Sequence, residues 1–337
     1  MNILVDMRVD EAGLRAVRAL PGVTVRRVDP PEESVVRPLP ADVLDDVQAL
    51  FCTFPPSNVA DARSLRFVQI ASAGYAQLVN IGLAERGVRA CNALGVFDVP
   101  IAEWNLAMMI NLLRDQRGLI RNQEQGVWDR DIRFQREIRG MTVGFWGYGG
   151  IARETARLAK AFNLTVHVLA RGGIKSRAEV YRVPGTGDPG GTLPDQVFPM
   201  ERKMEFLGGL DFLVLAMPLT DASRGVIGEA ELHALRPSAY LLNPARGALV
   251  QEQALLRALR EGWIAGAALD THYYYPMPPD HPLWRLPNVI MTPHISGSSG
   301  SPFFLRRTWD IFAQNIERLQ RNQPLLNELT PEQLKGS

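Results

Sequence analysis

The segment MTVGFWGYGGIARETARLAKAFNLTVHVLA, residues 141–170, carries the reading on which the fold turns. An apolar run of strand character, MTVGFW, leads into Gly147-Tyr148-Gly149-Gly150-Ile151-Ala152, and a helical pattern, IARETARLAKAF, follows. This is the GxGxxA spacing set between a strand and a helix, where it has a physical meaning. Gly147 permits a tight turn, Gly149 leaves room for a pyrophosphate against the backbone, and Ala152 lets the helix pack close to the strand. The phosphates would rest at the positive end of the helix dipole. Alone, such a motif is also compatible with a merely structural Gly-rich turn. The strand–turn–helix setting points instead to a dinucleotide.

The next strand, LTVHVLA, ends where a dinucleotide fold reads the adenosine ribose, a place usually held by a carboxylate that accepts from the 2′-hydroxyl. Here the chain reads Ala170-Arg171-Gly172-Gly173-Ile174-Lys175-Ser176-Arg177. With no carboxylate to repel a 2′-phosphate and three cations nearby, NADP(H) is the preferred cofactor, with NAD(H) possible. The same charges also read as a solvated loop, and Arg171 could stack on adenine without selecting either cofactor.

Outward from this segment the pattern continues in both directions. NILVDM, VTVRRV, ALFCTF and LRFVQIAS read as strands in the first hundred residues, with helix-like spacing between them. LDFLVLAMP, AYLLNPA, IAGAALD and NVIMTP read as buried strands after the fingerprint. Strands alternating with helices imply parallel sheets, hence an α/β fold. VPIAEWNLAMMINLLRDQRGLIRNQ reads as one long helix starting just after Pro100. Its surface is too apolar for a single packed face, so a second subunit is one candidate for the other face. Residues 172–209, rich in Gly and Pro, read as a functional loop or insertion.

The chain has 337 residues, 46% hydrophobic and 22% charged, with a formal net charge of +1. That length suits two domains, and the charge gives no reason to expect nucleic acid or an anionic membrane. Two cysteines, Cys52 and Cys91, are too few for a disulfide framework or a zinc site, and no metal is expected. No signal peptide is apparent, and no uncharged apolar run approaches the roughly 18 residues of a membrane span. A cytoplasmic protein is the expectation.

Three further residues follow strands: Arg246 in LLNPARGALV, Asp270 in AALDTHYYYP and His294 in NVIMTPHISG. Ligands in open α/β sheets bind at the carboxyl ends of strands, so all three point toward one crevice. An Arg grips a carboxylate bidentately, and a His exchanges a proton near neutrality. Taken singly, Arg246 is equally a surface charge and His294 a satisfied core histidine. His272 and His281 read as bystanders.

Taken in order, LRFVQIASAGYAQL, VPIAEWNLAMMINLLR, GFWGYGGIA, AMPLTDASRGVIG, NPARG, AALD and TPH resemble the D-isomer-specific 2-hydroxyacid dehydrogenases, in their glyoxylate/hydroxypyruvate reductase-like branch, over nearly the whole chain. The resemblance implies two Rossmann-like domains, flavodoxin-like and NAD(P)-binding, around an active-site cleft. The substrate-binding domain would comprise 1–99 plus 298–330, and the dinucleotide domain 100–297. It implies reduction of a 2-keto acid to the D-2-hydroxy acid, and a homodimer formed through the cofactor domain. Arg246 would anchor the carboxylate and carbonyl, and His294 would be the acid/base. Ala73, Gly74 and Tyr75 would meet the substrate carboxylate. Cofactor contacts would come from Gly147, Tyr148, Gly149, Gly150, Ile151, Ala170, Arg171, Lys175, Met217, Pro218, Asn243, Pro244, Ala245 and Gly297, with Asp270 holding the nicotinamide carboxamide.

One departure bears on mechanism. The family usually places a glutamate just before the proline after AALD, paired with the catalytic His; here Tyr275 stands in that slot. A phenol orients an imidazole but adds little charge, so His294 should titrate nearer its ordinary value and reduction should fade at lower pH. Asp98 or Glu103 are candidate substitutes for that carboxylate. The missing glutamate also leaves open a non-catalytic, NAD(P)-sensing corepressor-like relative. Ala73, in place of a lysine, argues against a phosphite dehydrogenase, and the pattern around His294 against a formate dehydrogenase.

Overall fold

The computed structural model describes residues 1–30, 35–177 and 180–336. Two compact units emerge: Met1–Phe97 with Ala178–Val183 and Ser299–Ser337, and Asp98–Arg177 with Pro184–Ser298. Placing Ala178–Val183 in the first unit differs from the expected uninterrupted span 100–297.

The first unit is built on five parallel strands, β1 (Asn2–Asp6), β2 (Thr24–Arg27), β3 (Ala49–Cys52), β4 (Phe67–Ile70) and β5 (Arg89–Cys91), in the order β2-β1-β3-β4-β5. The central strands β3 and β4 are buried throughout, as their unbroken apolar runs require. The helix Pro302–Gln320 closes one face with Trp309 and Phe312, and Phe51 stacks on Phe312 at 4.1 Å. The helix Glu11–Arg18 is capped by Asp10, whose side chain accepts from Gly13 N–H at 2.7 Å. Gly13 must be small, because a Cβ there would meet Trp309 at 2.4 Å. Buried Gln69 donates to the carbonyls of Cys91 and Asn92 and accepts from Asn315 at 2.9 Å, giving the core a polar latch that needs every partner.

From the long segment 172–209, Tyr181 belongs to this unit. It packs among Ala93, Val96, Ile311 and Leu326, its hydroxyl donates to Asp310 at 2.9 Å, and its amide donates to Asn327 at 3.1 Å. Its carbonyl lies 2.0 Å from where a Cβ on Gly95 would be, so only glycine fits opposite it.

The second unit carries seven parallel strands, β6 (Thr142–Trp146), β7 (Thr165–Leu169), β8 (Gln196–Phe198), β9 (Phe212–Leu215), β10 (Tyr240–Asn243), β11 (Gly266–Leu269) and β12 (Val289–Met291), in the order β12-β11-β10-β9-β6-β7-β8. The order reverses at β6, the place where doubly wound sheets open a ligand crevice. All ten strands read from the sequence are present. Strands β5 and β8, three residues each, are additional.

The expected single helix after Pro100 is two. Asp98–Leu113 starts three residues earlier, with Pro100 in its first turn, and Gln116–Glu124 follows a break at Asp115. Asp115 adopts a left-handed φ of 43° and its side chain accepts from Gly118 N–H, so it ends one helix and caps the next. The first helix packs on Gly150–Ala161, where Asn105 donates to Thr155 at 3.1 Å. No helix among the described residues is long and apolar enough to cross a membrane.

Candidate active site

The fingerprint sits directly after β6. Gly147 has φ +91°, and a Cβ on it would lie 2.8 Å from the Ala216 carbonyl at the end of β9. Both facts demand glycine. Gly149 is the N-cap of the helix Gly150–Ala161, whose first amides point out of the helix end. Ala152 is buried against the sheet. A dinucleotide pyrophosphate fits this turn because Gly147, Gly149 and Gly150 carry no side chain of their own between it and the backbone.

The loop beyond β7 is built around Arg153, one turn into that helix. Its buried guanidinium donates to the carbonyls of Tyr148 (3.1 Å), Asp188 and Lys175 and lies 4.9 Å over the Tyr148 ring. Tyr148 donates to Asp188 at 2.7 Å, and Asp188 also accepts from Thr192 and Leu193 amides. Burial pushes the Tyr148 hydroxyl well above its usual range, with Asp188 adding to it. Tyr148, expected at the cofactor, thus has a fixed structural partner. Arg171 and Lys175 keep exposed side chains.

The turns after β10, β11 and β12 hold Arg246, Asp270 and His294, the polar residues expected at the crevice. After β10, buried Asn243 accepts from the amides of Ala245 and Arg246 and donates to the Arg246 carbonyl at 2.8 Å. This self-contained loop presents Arg246 at the surface, with one guanidinium nitrogen on the Ala245 carbonyl at 2.6 Å. Gly247 follows because a Cβ would sit 2.5 Å from the His272 carbonyl. Met217 and Pro218 follow β9, with the Pro218 carbonyl accepting from Ser223.

After β11, Asp270 is fully buried, and its carboxylate accepts from Thr292 Oγ1 (2.6 Å), Ile295 N (2.9 Å), Ser296 N (3.1 Å) and Ser296 Oγ. These donors lie on both sides of His294, which takes a left-handed φ of 58°. Asp270 therefore braces the histidine turn. Its charge favours the imidazolium, but desolvation outweighs it. With Arg246 and His272 adding repulsion, His294 lies below the ordinary histidine value. Asp270 is the carboxylate that acts on His294. The candidates at the hinge do not: Asp98 lies against Gly150, and Glu103 is exposed on its helix.

Tyr275 is 60% exposed, and its ring centroid lies 5.6 Å from that of His294 at 56°. Its hydroxyl accepts the His272 amide at 3.2 Å, so it flanks the imidazole with a tilted ring rather than by a hydrogen bond. His272 and His281 are structural: one meets the Thr292 carbonyl at 2.8 Å, the other Glu252 at 2.7 Å.

A family model for the D-isomer specific 2-hydroxyacid dehydrogenase NAD binding domain matches residues 106–296. The chain belongs to the D-isomer-specific 2-hydroxyacid dehydrogenase family. A glyoxylate reductase of Korarchaeum cryptofilum is 30% identical over 278 residues, 81% of this chain and 79% of its own. A family protein from Aeromonas salmonicida subsp. salmonicida A449 superposes with TM-score 0.78 at 25% identity, covering 98% of this chain and 99% of that one. A dehydrogenase from Xanthobacter autotrophicus Py2, solved with NADPH and MES, gives 0.72 at 25% identity, covering 98% of each. The chain is thus an NAD(P)-dependent 2-hydroxyacid dehydrogenase.

Within this dehydrogenase the second unit gathers Arg246, Tyr275 and His294 on three successive strand ends. The first unit holds Ala73-Gly74-Tyr75 after β4. There the Ala73 carbonyl accepts from Asn92 at 2.8 Å and the Gly74 carbonyl from Ser72 at 2.7 Å. The three amides of this turn donate to no other described group. Sequence reasoning missed Thr292 and Ser296, which serve Asp270. Their only signal is their place on either side of His294.

Proposed function

We propose that this dehydrogenase reduces a 2-keto acid to the D-2-hydroxy acid, reversibly, with NADP(H) preferred. The observation that carries the reading is that Arg246 and His294 follow β10 and β12 of one sheet, on either side of β11, with the Arg246 charge among the influences that depress the imidazole. Arg246 binds the substrate carboxylate and the carbonyl oxygen through its fork of donors. His294 gives its proton to that oxygen as the alcohol forms and recovers it in the reverse direction. A bound nicotinamide supplies or takes up the hydride. The exposed Arg171 and Lys175, with Ala170 in place of a carboxylate, support the 2′-phosphate form.

Loss of NADPH absorbance against glyoxylate, hydroxypyruvate, phenylpyruvate and branched 2-keto acids tests this. Turnover is expected on at least one. NADPH binding with no turnover on any would overturn catalysis in favour of a cofactor sensor.

The proposed homodimer draws on the second unit's apolar face. Trp128 is 91% and Ile132 81% exposed, and Ile120, Trp284, Ile290 and Met291 line a groove of about 370 Å³ that Arg117 and Arg121 border. Large exposed side chains in such number mark a contact surface, here for a second copy. Light scattering should give twice the chain mass, and Trp128→Ser with Ile132→Ser should halve it.

A further inference from the structure

Arg177 has no role in the chemistry above, and its position is unusual. One of its guanidinium nitrogens lies 3.3 Å from where a Cβ on Gly149 would stand. That is the space the fingerprint keeps clear of side chains, at the N-terminus of a helix twelve residues long. No hydrogen bond or ion pair of this guanidinium joins it to another described residue, whereas neighbouring Arg153 spends its donors on three carbonyls.

The placement is costly without an anion. A helix N-terminus carries partial positive charge, and Arg177 brings a full one to it. It also lies near the buried Arg153 cation, which burial depresses first and Arg177 second. Asp188, the carboxylate nearest Arg153, is already committed to Tyr148, Thr192 and Leu193, and Asp98 lies against the next residue, Gly150. The backbone that carries Arg177 is held in place: its amide reaches Pro189, and Arg153 grips the Lys175 carbonyl two residues earlier. A planar fork of donors fixed over a phosphate-binding turn suits two oxygens of one anion.

We propose that Arg177 clamps the cofactor pyrophosphate against the Gly147–Gly150 turn. It adds affinity for NADH and NADPH alike and leaves the choice between them to Arg171 and Lys175. This rests on the dinucleotide reading of that turn. It assigns a binding residue from the loop after β7, outside the fingerprint itself.

The test is the dissociation constant of each dinucleotide, read by quenching of tryptophan fluorescence, for wild type, Arg177→Ala, Arg177→Lys and Arg171→Ala. Arg177→Ala should weaken NADH and NADPH by the same factor, about tenfold or more, as loss of a charge-assisted contact does. Arg177→Lys should fall between, and Arg171→Ala should weaken NADPH more than NADH. If Arg177→Ala costs affinity for NADPH alone, Arg177 reads the 2′-phosphate and the clamp is wrong. If neither affinity changes, the clamp is also wrong. If wild type binds neither dinucleotide, the reading of the turn itself fails, a result distinct from the other two. Because the side chain bonds to no described group and brings positive charge to a helix N-terminus, no Arg177 variant should melt below wild type without cofactor, and equal losses in Arg177→Ala accompanied by wild-type affinity in Arg177→Lys would assign the effect to charge rather than to the fork.

Discussion

Tyr275 and His294 meet ring to ring, 5.6 Å apart, while the phenol oxygen is turned away to the His272 amide. Tyr275 therefore flanks the imidazole with its ring and offers it no carboxylate. His294 sits below the ordinary value of 6.5, chiefly by desolvation. In the proposed reaction reduction consumes the imidazolium, so its rate should be full below that pKa and be lost as pH rises through it. In wild type the alkaline limb of kcat/KM should fall on the acid side of 6.5. Tyr275→Glu should move it upward, each unit corresponding to about 1.4 kcal/mol. Coincident limbs in the two pH–rate profiles would sink the idea.

Asp270→Asn should move the same limb the other way. Removing the charge takes away the one influence that raises His294. It also turns an NH2 toward donors now served by a carboxylate oxygen, which should cost about 1–3 kcal/mol of stability. Urea unfolding and the pH profile measure the two effects separately. An upward shift would show that Asp270 acts on His294 through geometry alone.

Arg246→Lys keeps the charge and loses the fork. Since the Arg246 side chain is exposed and bonded only to its own neighbour's carbonyl, stability should stay within about 0.5 kcal/mol. kcat/KM for reduction should drop about 10²–10³-fold, the scale for removing a donor aimed at a developing oxyanion. A stability loss larger than the kinetic one would assign Arg246 to the loop rather than to substrate.

Asp188 anchors the loop beyond β7. Burial raises its carboxyl, but the Thr192 and Leu193 amides, the Tyr148 hydroxyl and Arg153 together hold it below the usual range. Its contribution is therefore full above the unfolded value of 3.8 and is lost as pH falls through the lower folded one. Asp188→Ala should cost about 3 kcal/mol near neutrality, and Tyr148→Phe, which removes one donor, about 1 kcal/mol. Chemical melts across pH decide it: a cost for Asp188→Ala that persists undiminished in strong acid contradicts the account.

Periodicity made most of the fold legible. Each strand from Asn2–Asp6 to Val289–Met291 that carries an apolar run of four or more residues with turn signals was readable. Arg89–Cys91 and Gln196–Phe198 were not, because RAC and QVF are short and interrupted by polar residues, whereas the equally short Val289–Met291 is wholly apolar. The break at Asp115 was hidden too, since a left-handed cap looks like one more polar residue on a helix face. At the site, Arg246 and His294 were visible as polar residues following apolar strands. The separate fates of Tyr273, Tyr274 and Tyr275 were not visible. One packs on the second unit's core, one donates to Glu252, and one covers His294. Adjacent identical residues differ only in which direction the backbone aims them, and that is set by partners distant in sequence.

Tyr181 also bears on how such enzymes can be recombined. Because Ala178–Val183 belongs to the first unit, the chain passes from one unit to the other at four junctions, where an undivided nucleotide unit would need only two. A chimera that imports a relative's nucleotide-binding half by cutting near residues 98 and 298 would carry a foreign segment into the socket made by Gly95, Asp310 and Asn327. For this dehydrogenase, a working exchange has to treat that socket and its tyrosine as a single inherited part.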